Sequence, residues 1–336
     1  MIRVRRAAKS AFLFTTLVLF SHNAFAQRDH VHVVGSSTAF PIISAAAEFF
    51  GRNSEYMTPV VESTGTGGGF KLFCSGLGLT TPDMVMASRR MRRSEYRRCI
   101  VNEVSELREI RIGFDGIVVA NRMGGPRFDL SARDLYYALA RWIPVKDQPG
   151  KLILNPYTRW REINPGSPDI PIRVYGPPPT SGTRDILVER LMHEACMSEP
   201  YLQEMYQGDR AEFQQRCYSL REDGHFINAG ENDTRVVRKL GNDPFALGIL
   251  GFNYLDRNRD RLQAASVNDV YPEMELIETG SYPLSRPLYV YLKSAHEHIS
   301  PGLLPFLDDL MSDASSGPEG RLAEKGLIPL PGRVTN

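Results

Sequence analysis

Residues 31–50, VHVVGSSTAFPIISAAAEFF, decide how the rest of the chain is read. Val31 to Val34 is a short β-branched run that stops at Gly35-Ser36-Ser37-Thr38, and from Pro41 to Phe50 the apolar residues take helical spacing. The unit is strand, glycine-hydroxyl loop, helix. It recurs where Thr58 to Glu62 runs into Ser63-Thr64-Gly65-Thr66-Gly67-Gly68-Gly69 and a helix from Phe70. It recurs again where Ile172 to Tyr175 runs through Gly176 to Thr183 into a helix over Arg184 to Ala195. Further strands are expected at Met84 to Ala87, at Arg108 to Gly113 leading into the buried run Ile117 to Asn121, at Ala246 to Phe252 and at Leu288 to Leu292. Alternation of this kind predicts α/β architecture. Gly124 to Pro126 and Pro144 to Gly150 read as surface loops, and the region from about 140 to 170 gives no clear assignment.

The loops Gly35–Thr38, Thr64–Gly69 and Thr180–Thr183 make the same chemical offer. A helix N-terminus presents backbone N–H groups and the positive end of a dipole, which attract anions. Ser and Thr hydroxyls add donors or cap the helix, and glycine lets the backbone approach a ligand closely. One such loop is ordinarily a plain N-cap. Three suit an oxyanion with four oxygens, provided the fold brings them together at the carboxyl ends of strands. A nucleotide P-loop is excluded: in Gly65 to Leu72 (GTGGGFKL), Phe70 stands where the second glycine belongs and Leu72 where Ser or Thr belongs.

The chain has 336 residues, 42% hydrophobic and 24% charged, with a formal charge of +1. Those values exclude wholesale disorder, a multi-pass membrane protein and a bulk nucleic-acid binder. Arg3, Arg5, Arg6 and Lys9 precede the apolar run Ala11 to Phe20, and Ala24-Phe25-Ala26 follows it. This is the pattern of a secretory signal peptide over 1–26, cut before Gln27. A run of ten residues is too short to cross a bilayer about 30 Å thick. Cleavage takes away four positive charges and no acid, leaving a formal charge of −3 and a soluble protein outside the cytoplasm. Cys74, Cys99, Cys196 and Cys217 are even in number, as two disulfides require in an oxidising compartment. Three pairings are possible, and proximity favours Cys74–Cys99 with Cys196–Cys217. A metal site is disfavoured, because there is no Cys-x-x-Cys and no nearby histidine pair.

At this point the sequence resembles a family. Gly35-Ser-Ser-Thr-Ala-Phe-Pro41, Ser63-Thr-Gly-Thr-Gly-Gly-Gly-Phe-Lys71, Pro82-Asp-Met-Val-Met-Ala-Ser-Arg89, Ile112-Gly-Phe-Asp-Gly-Ile-Val118 and Thr180-Ser-Gly-Thr-Arg184 are similar, in order and spacing, to the periplasmic phosphate-binding proteins of the high-affinity phosphate ABC transporter. The match covers most of residues 31 to 254. The resemblance implies a type II periplasmic binding protein fold of two lobes, each a mixed sheet flanked by helices, with two hinge crossings. It implies lobe I over 27–115, lobe II over 116–254 and a return to lobe I over 255–336, with crossings near Asp115-Gly116 and Asn253-Tyr254.

The resemblance carries phosphate contacts onto Ser37, Thr38, Ala39 and Phe40, onto Thr66 with Gly67, and onto Ser181, Gly182 and Thr183. Two departures stand out. After Ala87-Ser88, where some relatives place an aspartate that accepts the phosphate proton, this chain has Arg89. Four residues before Ser181, where they place an arginine, it has Pro177. Ser88, Arg89 and Arg184 are therefore candidate donors, and Asp115 a candidate acceptor. Glu231 and Asn232 are further loop candidates. Each charged candidate has a plainer reading as a helix-turn, surface or turn residue.

Arg89 to Arg98 (RRMRRSEYRR) carries six arginines and reads as a solvated helix face balanced by Glu95 and later acids. His296 and His298 flank Glu297 without a His-Glu-x-x-His spacing and read as a surface loop. No Gly-x-Ser-x-Gly elbow occurs. The expectation is a monomeric solute-binding protein, neither enzyme nor cofactor carrier, that captures phosphate and delivers it to ABC permease subunits in the inner membrane. The alternatives are a binding protein for sulfate or molybdate, and a secreted phosphatase or adhesion protein on the same scaffold.

Overall fold

The computed structural model describes residues 28–145, 148, 150–230 and 232–332. The expected signal peptide and Glu231 lie outside the described residues. Thirteen strands are described: β1 His32–Gly35, β2 Val60–Ser63, β3 Met84–Ala87, β4 Leu107–Arg122, β5 Asp129–Leu130, β6 Trp142–Pro144, β7 Leu152–Leu154, β8 Val174–Gly176, β9 Phe226–Asn228, β10 Leu247–Gly251, β11 Leu262–Ala264, β12 Ser266–Val267 and β13 Ser285–Lys293. Three helices frame the first two loops: α1 Phe40–Asn53, α2 Thr66–Phe73 and α3 Arg93–Val101.

The main sheet runs β2-β1-β3-β13-β4-β10-β8-β9, with β11 also on β4. β1, β2 and β3 are parallel, β13 is antiparallel to β3 and β4, and β10 is antiparallel to β4 but parallel to β8. β4 joins two half-sheets. Its residues 107–116 pair with β13, whereas Ile117 to Arg122 pair with β10 and β11. The apolar run Ile117 to Ala120 is fully covered, as a strand sandwiched on both faces requires.

Period-2 alternation assigns the core. On one face of the first half-sheet Val33, Met84 and Met86 meet Ile42, Ile43 and Phe306. On the other, Val34 and Val85 meet Phe70, Phe73 and Tyr291. The second half-sheet has its own core, built on Ile117 to Ala120, Leu247, Ile249, Trp160 and Phe213. β11 pairs with the second half of β4 and β12 with β5, so residues 262–267 stay with this half. The chain rejoins the first half-sheet through β13.

The disulfides are Cys74–Cys99 and Cys196–Cys217. The helix expected over Arg184 to Ala195 is a continuous helical run: Gly182–Ile186, a π-helical stretch Leu187–Met192, then His193–Met197. The unassigned middle contains the antiparallel pair β6–β7 and a short helix Trp160–Ile163. Of the arginine run, Arg89 pairs with Glu95 and Arg90 with Glu109, as the solvated-face reading requires.

His296 overturns its surface-loop reading. Its ring is fully buried, Nδ1 lies 2.7 Å from Asp83 Oδ1, and Nε2 lies 3.0 Å from the Leu77 carbonyl. Asp83 also accepts from Arg28 Nη1 and from the His32 N–H. Burial pushes the Asp83 carboxyl up, but the His296, His32 and Arg28 partners outweigh it and hold the group below its usual range. The sequence shows no sign of this, because the partners come from three separated segments.

Candidate functional site

The first loop ends β1 because the backbone demands it. Gly35 takes φ +136, and a Cβ there would stand 2.1 Å from the Met86 carbonyl oxygen. The chain turns, Ser36 N–H donates to that same oxygen at 2.9 Å, and α1 begins with Pro41 in its first turn. The Phe40 N–H donates to the Ser36 carbonyl at 3.0 Å, and the Ala39 N–H reaches Ser36 Oγ at 3.4 Å. These two candidate donors serve the turn, while Ser37 and Thr38 project their hydroxyls.

The second loop lies against the first. A Cβ on Gly69 would stand 2.6 Å from Gly35 Cα and 2.8 Å from Val85 Cγ2, so α2 can pack on β1 only with glycine there. Thr66 Oγ1 lies 3.1 Å from Ser88 Oγ and accepts from the Ser88 N–H at 3.3 Å. Ser88 thus joins the loop cluster. Arg89 takes a different partner: its guanidinium makes two 2.8 Å bonds to Glu95 and lies over the Phe70 ring. Burial raises the Glu95 carboxyl, but Arg89 and the Arg92 N–H more than reverse this.

The third loop comes from the other half-sheet and meets the first. A Cβ on Gly182 would stand 3.4 Å from both the Cα and the carbonyl oxygen of Thr38. Ser181 caps the following helix, its Oγ accepting from the Thr183 N–H at 3.2 Å. Arg184 does not reach across. Its Nη1 donates to the Pro177 carbonyl at 3.4 Å and its guanidinium faces Phe226, while burial lowers its pKa. Asn232 caps the helix Asp233–Asn242, accepting from the Thr234 N–H at 2.9 Å.

The charge at this junction comes from a residue that sequence reasoning missed. Arg286, in β13, faces Asp115 of β4 in the strand register. Its side chain is 4% exposed; Nη1 donates to Glu189 Oε2 at 2.5 Å and Nη2 donates to Thr38 Oγ1. Nε is buried without a hydrogen-bond partner among the described residues. The Ser37 hydroxyl bonds Asp185, four residues before Glu189. So the loop of β1, the start of β13 and the helix after the third loop converge on one cationic centre. The available signal was Ser285-Arg286-Pro287 at the head of a predicted strand, but its partner strand could not be read from sequence.

Besides Glu189, the Asp115 and Asp185 carboxyls feel this guanidinium, and Asp233 acts on Asp115. Burial pushes Asp115 up to about 6, against the pull of Arg286 and the Gly116 N–H, with Asp233 and Asp185 adding to the rise. Burial likewise pushes Asp233 up to about 6, although it accepts from the Gly251 N–H at 2.8 Å. Asp185 is raised by burial, which the Ser37 hydroxyl and Arg286 only partly offset. Poised carboxyls beside a buried guanidinium and several hydroxyls can both donate to an oxyanion and accept from its protons. Among the described residues no cluster has the composition of a metal site, and no helix is long and apolar enough to cross a membrane.

Comparison with known proteins places this geometry in a family. Residues 22–314 match the model of a PBP superfamily domain. Protein SphX of Synechocystis is 31% identical over 91% of this chain and 80% of its own. The phosphate-binding protein PstS of Staphylococcus saprophyticus is 26% identical over 88% of this chain and 79% of its own. The crystal structure of a possible phosphate binding protein from Planctomyces limnophilus superposes with a TM-score of 0.68 at 26% identity, covering 91% of this chain and 94% of that one. The two-lobed α/β fold and these likenesses agree: the chain belongs to the PBP superfamily and is PstS-like within it.

Proposed function

We propose that this protein captures inorganic phosphate between its two half-sheets and hands it to an ABC permease. The observation that carries the reading is the meeting of Thr38, Gly182 and the buried Arg286, three donor-bearing segments from both halves of the sheet. Ser37, Thr38, Thr66, Ser88, Ser181, Gly182 and Thr183 supply short donors. Arg286 supplies the charge that Arg89 and Arg184, each engaged locally, do not. A guanidinium binds a phosphate bidentately and, in a buried site, strongly.

Selectivity follows from the carboxyls. Asp115 and Asp185 accept the hydroxyl proton of a protonated phosphate, whereas sulfate at neutral pH has none to give and leaves a buried acceptor facing an oxyanion. The Asp115 carboxylate therefore favours phosphate over sulfate or molybdate while it is ionised, above the value of about 6 to which burial raises it. The chain works as a binding protein rather than an enzyme, in keeping with its superfamily. Residues 1–26 direct it to the periplasm, where the disulfides form, and it acts as a monomer. One hinge crossing lies at Asp115-Gly116 in β4; the return, expected near Asn253-Tyr254, moves to Ser285-Arg286 in β13, because residues 262–267 still pair within the second half. Closure about these strands encloses the anion.

Calorimetric titration of the purified mature protein with phosphate, sulfate and molybdate tests the reading. Phosphate is expected to bind far more tightly than the other two. Equal affinity for all three, or none for phosphate, overturns it.

A further inference from the structure

Glu189 and Arg286 are ill-matched in environment. The guanidinium is 4% exposed and the carboxylate 56% exposed, yet they lie 2.5 Å apart. Glu189 sits in the π-helical stretch Leu187–Met192 of one half, and Arg286 at the head of β13 in the other. The contact therefore spans the cleft. Four residues earlier Asp185 spans it too, accepting from Ser37. Positions four apart on a helical run share a face, so one face of this run offers two carboxylates to donors of the facing loop. Those donors, Ser37, Thr38 and Arg286, are the ones assigned above to the anion.

We propose that Glu189 is a built-in substitute for the bound anion: it holds the Arg286 guanidinium, draws the lobes together without ligand, and must be displaced when the anion enters. This rests on reading the cleft as an anion site. Glu189 suits the task because its exposed side chain can swing into water, whereas Arg286 stays fixed by the β-strand and by Thr38. The other charges facing Arg286 are Asp115 on β4 and Asp185 on the same helical run, with Arg184 and Asp233 nearby. Asp115 is held on the neighbouring strand as the register partner of Arg286. Glu189 is the counter-ion free to move. The unpartnered Nε of Arg286 adds a buried donor that Glu189 does not satisfy and an anion oxygen can.

The test compares wild type, Glu189→Gln and Glu189→Asp. Small-angle X-ray scattering of the ligand-free proteins reads closure, and calorimetry with inorganic phosphate reads affinity. Glu189→Gln is expected to enlarge the ligand-free radius of gyration and to tighten phosphate by about fivefold, the upper scale of an ion pair with one exposed partner. Glu189→Asp, which keeps the charge, stays near wild type in both. Unchanged scattering for Glu189→Gln, or weaker phosphate binding, overturns the proposal; loss of mere structural support gives weaker binding, opposite in sign. If wild type binds no phosphate, the ligand assignment fails, and the scattering alone decides whether Glu189 holds the cleft shut.

Discussion

Replacing Arg286 by Gln probes the centre of the site most directly. Glutamine preserves much of the side-chain volume, so the substitution removes charge without opening a large cavity. The guanidinium offers Nη1, Nη2 and a partnerless Nε toward the cleft. Two hydrogen bonds to an anion at about 1.5–3 kcal/mol each amount to roughly 3–6 kcal/mol, of which a glutamine amide recovers about 1. The net loss of roughly 2–5 kcal/mol, at about 1.4 kcal/mol per decade, should lower phosphate affinity by roughly 30- to 4,000-fold. A pH signature accompanies the loss. Arg286 holds down the Asp115 carboxyl, which burial has already pushed up to about 6. Without the cation Asp115 protonates more readily still, so near about pH 6.5 the variant keeps less of the ionised acceptor than wild type, whereas near pH 8 both are ionised. The deficit of Arg286→Gln relative to wild type should therefore be larger near about pH 6.5 than near pH 8. Calorimetric titrations at both pH values, with circular dichroism confirming the fold, supply the measurement. An affinity within about threefold of wild type near pH 8 would refute the placement of Arg286 at the anion.

Thr66→Val deletes the hydroxyl that accepts from the Ser88 N–H, so phosphate affinity should drop about tenfold and thermal stability should fall, as one unsatisfied donor costs about 1–3 kcal/mol. Asp233 titrates higher in the folded chain, at about 6, than in the unfolded one. Its stabilisation is thus complete below the unfolded value of 3.8 and is lost as pH rises through 6. Asp233→Asn, which can still accept from Gly251 N–H, should match wild type in acid and exceed it by on the order of 2 kcal/mol in neutral denaturant titrations. Replacing Cys196 and Cys217 by serine opens a loop of sequence separation 21, and chemical denaturation should show a loss of about 3 kcal/mol.

The loops were legible in the sequence because their determinants are local. Gly35 ends a strand, Pro41 starts a helix, and Ser181 caps one, each within a few residues of its partners. Both disulfides followed from spacing in the same way. The cation was not legible, although Asp115, its register partner, was. Arg89 and Arg184 sit beside loop motifs and looked suitable, but Glu95, six residues on, and the Pro177 carbonyl, seven residues back, engage them. Arg286 reaches Thr38 only because β13 crosses between β3 and β4, a pairing fixed by the whole sheet. His296 is hidden for the same reason, since Asp83 lies over two hundred positions away. Where a side chain's partner is set by tertiary pairing, neighbouring residues carry no trace of it.

The shared strand β4 has a consequence for dissection of the molecule. A fragment that stops near Gly116 would lack β13 altogether, and one that begins there would keep β13 but strip it of residues 107–116, with which it pairs. Either piece would expose a long apolar edge, the kind that recruits foreign strands and precipitates. Attempts to produce one half alone should thus yield aggregates, and a circular permutant that keeps 107–122 unbroken is the better route to a divided version of this protein.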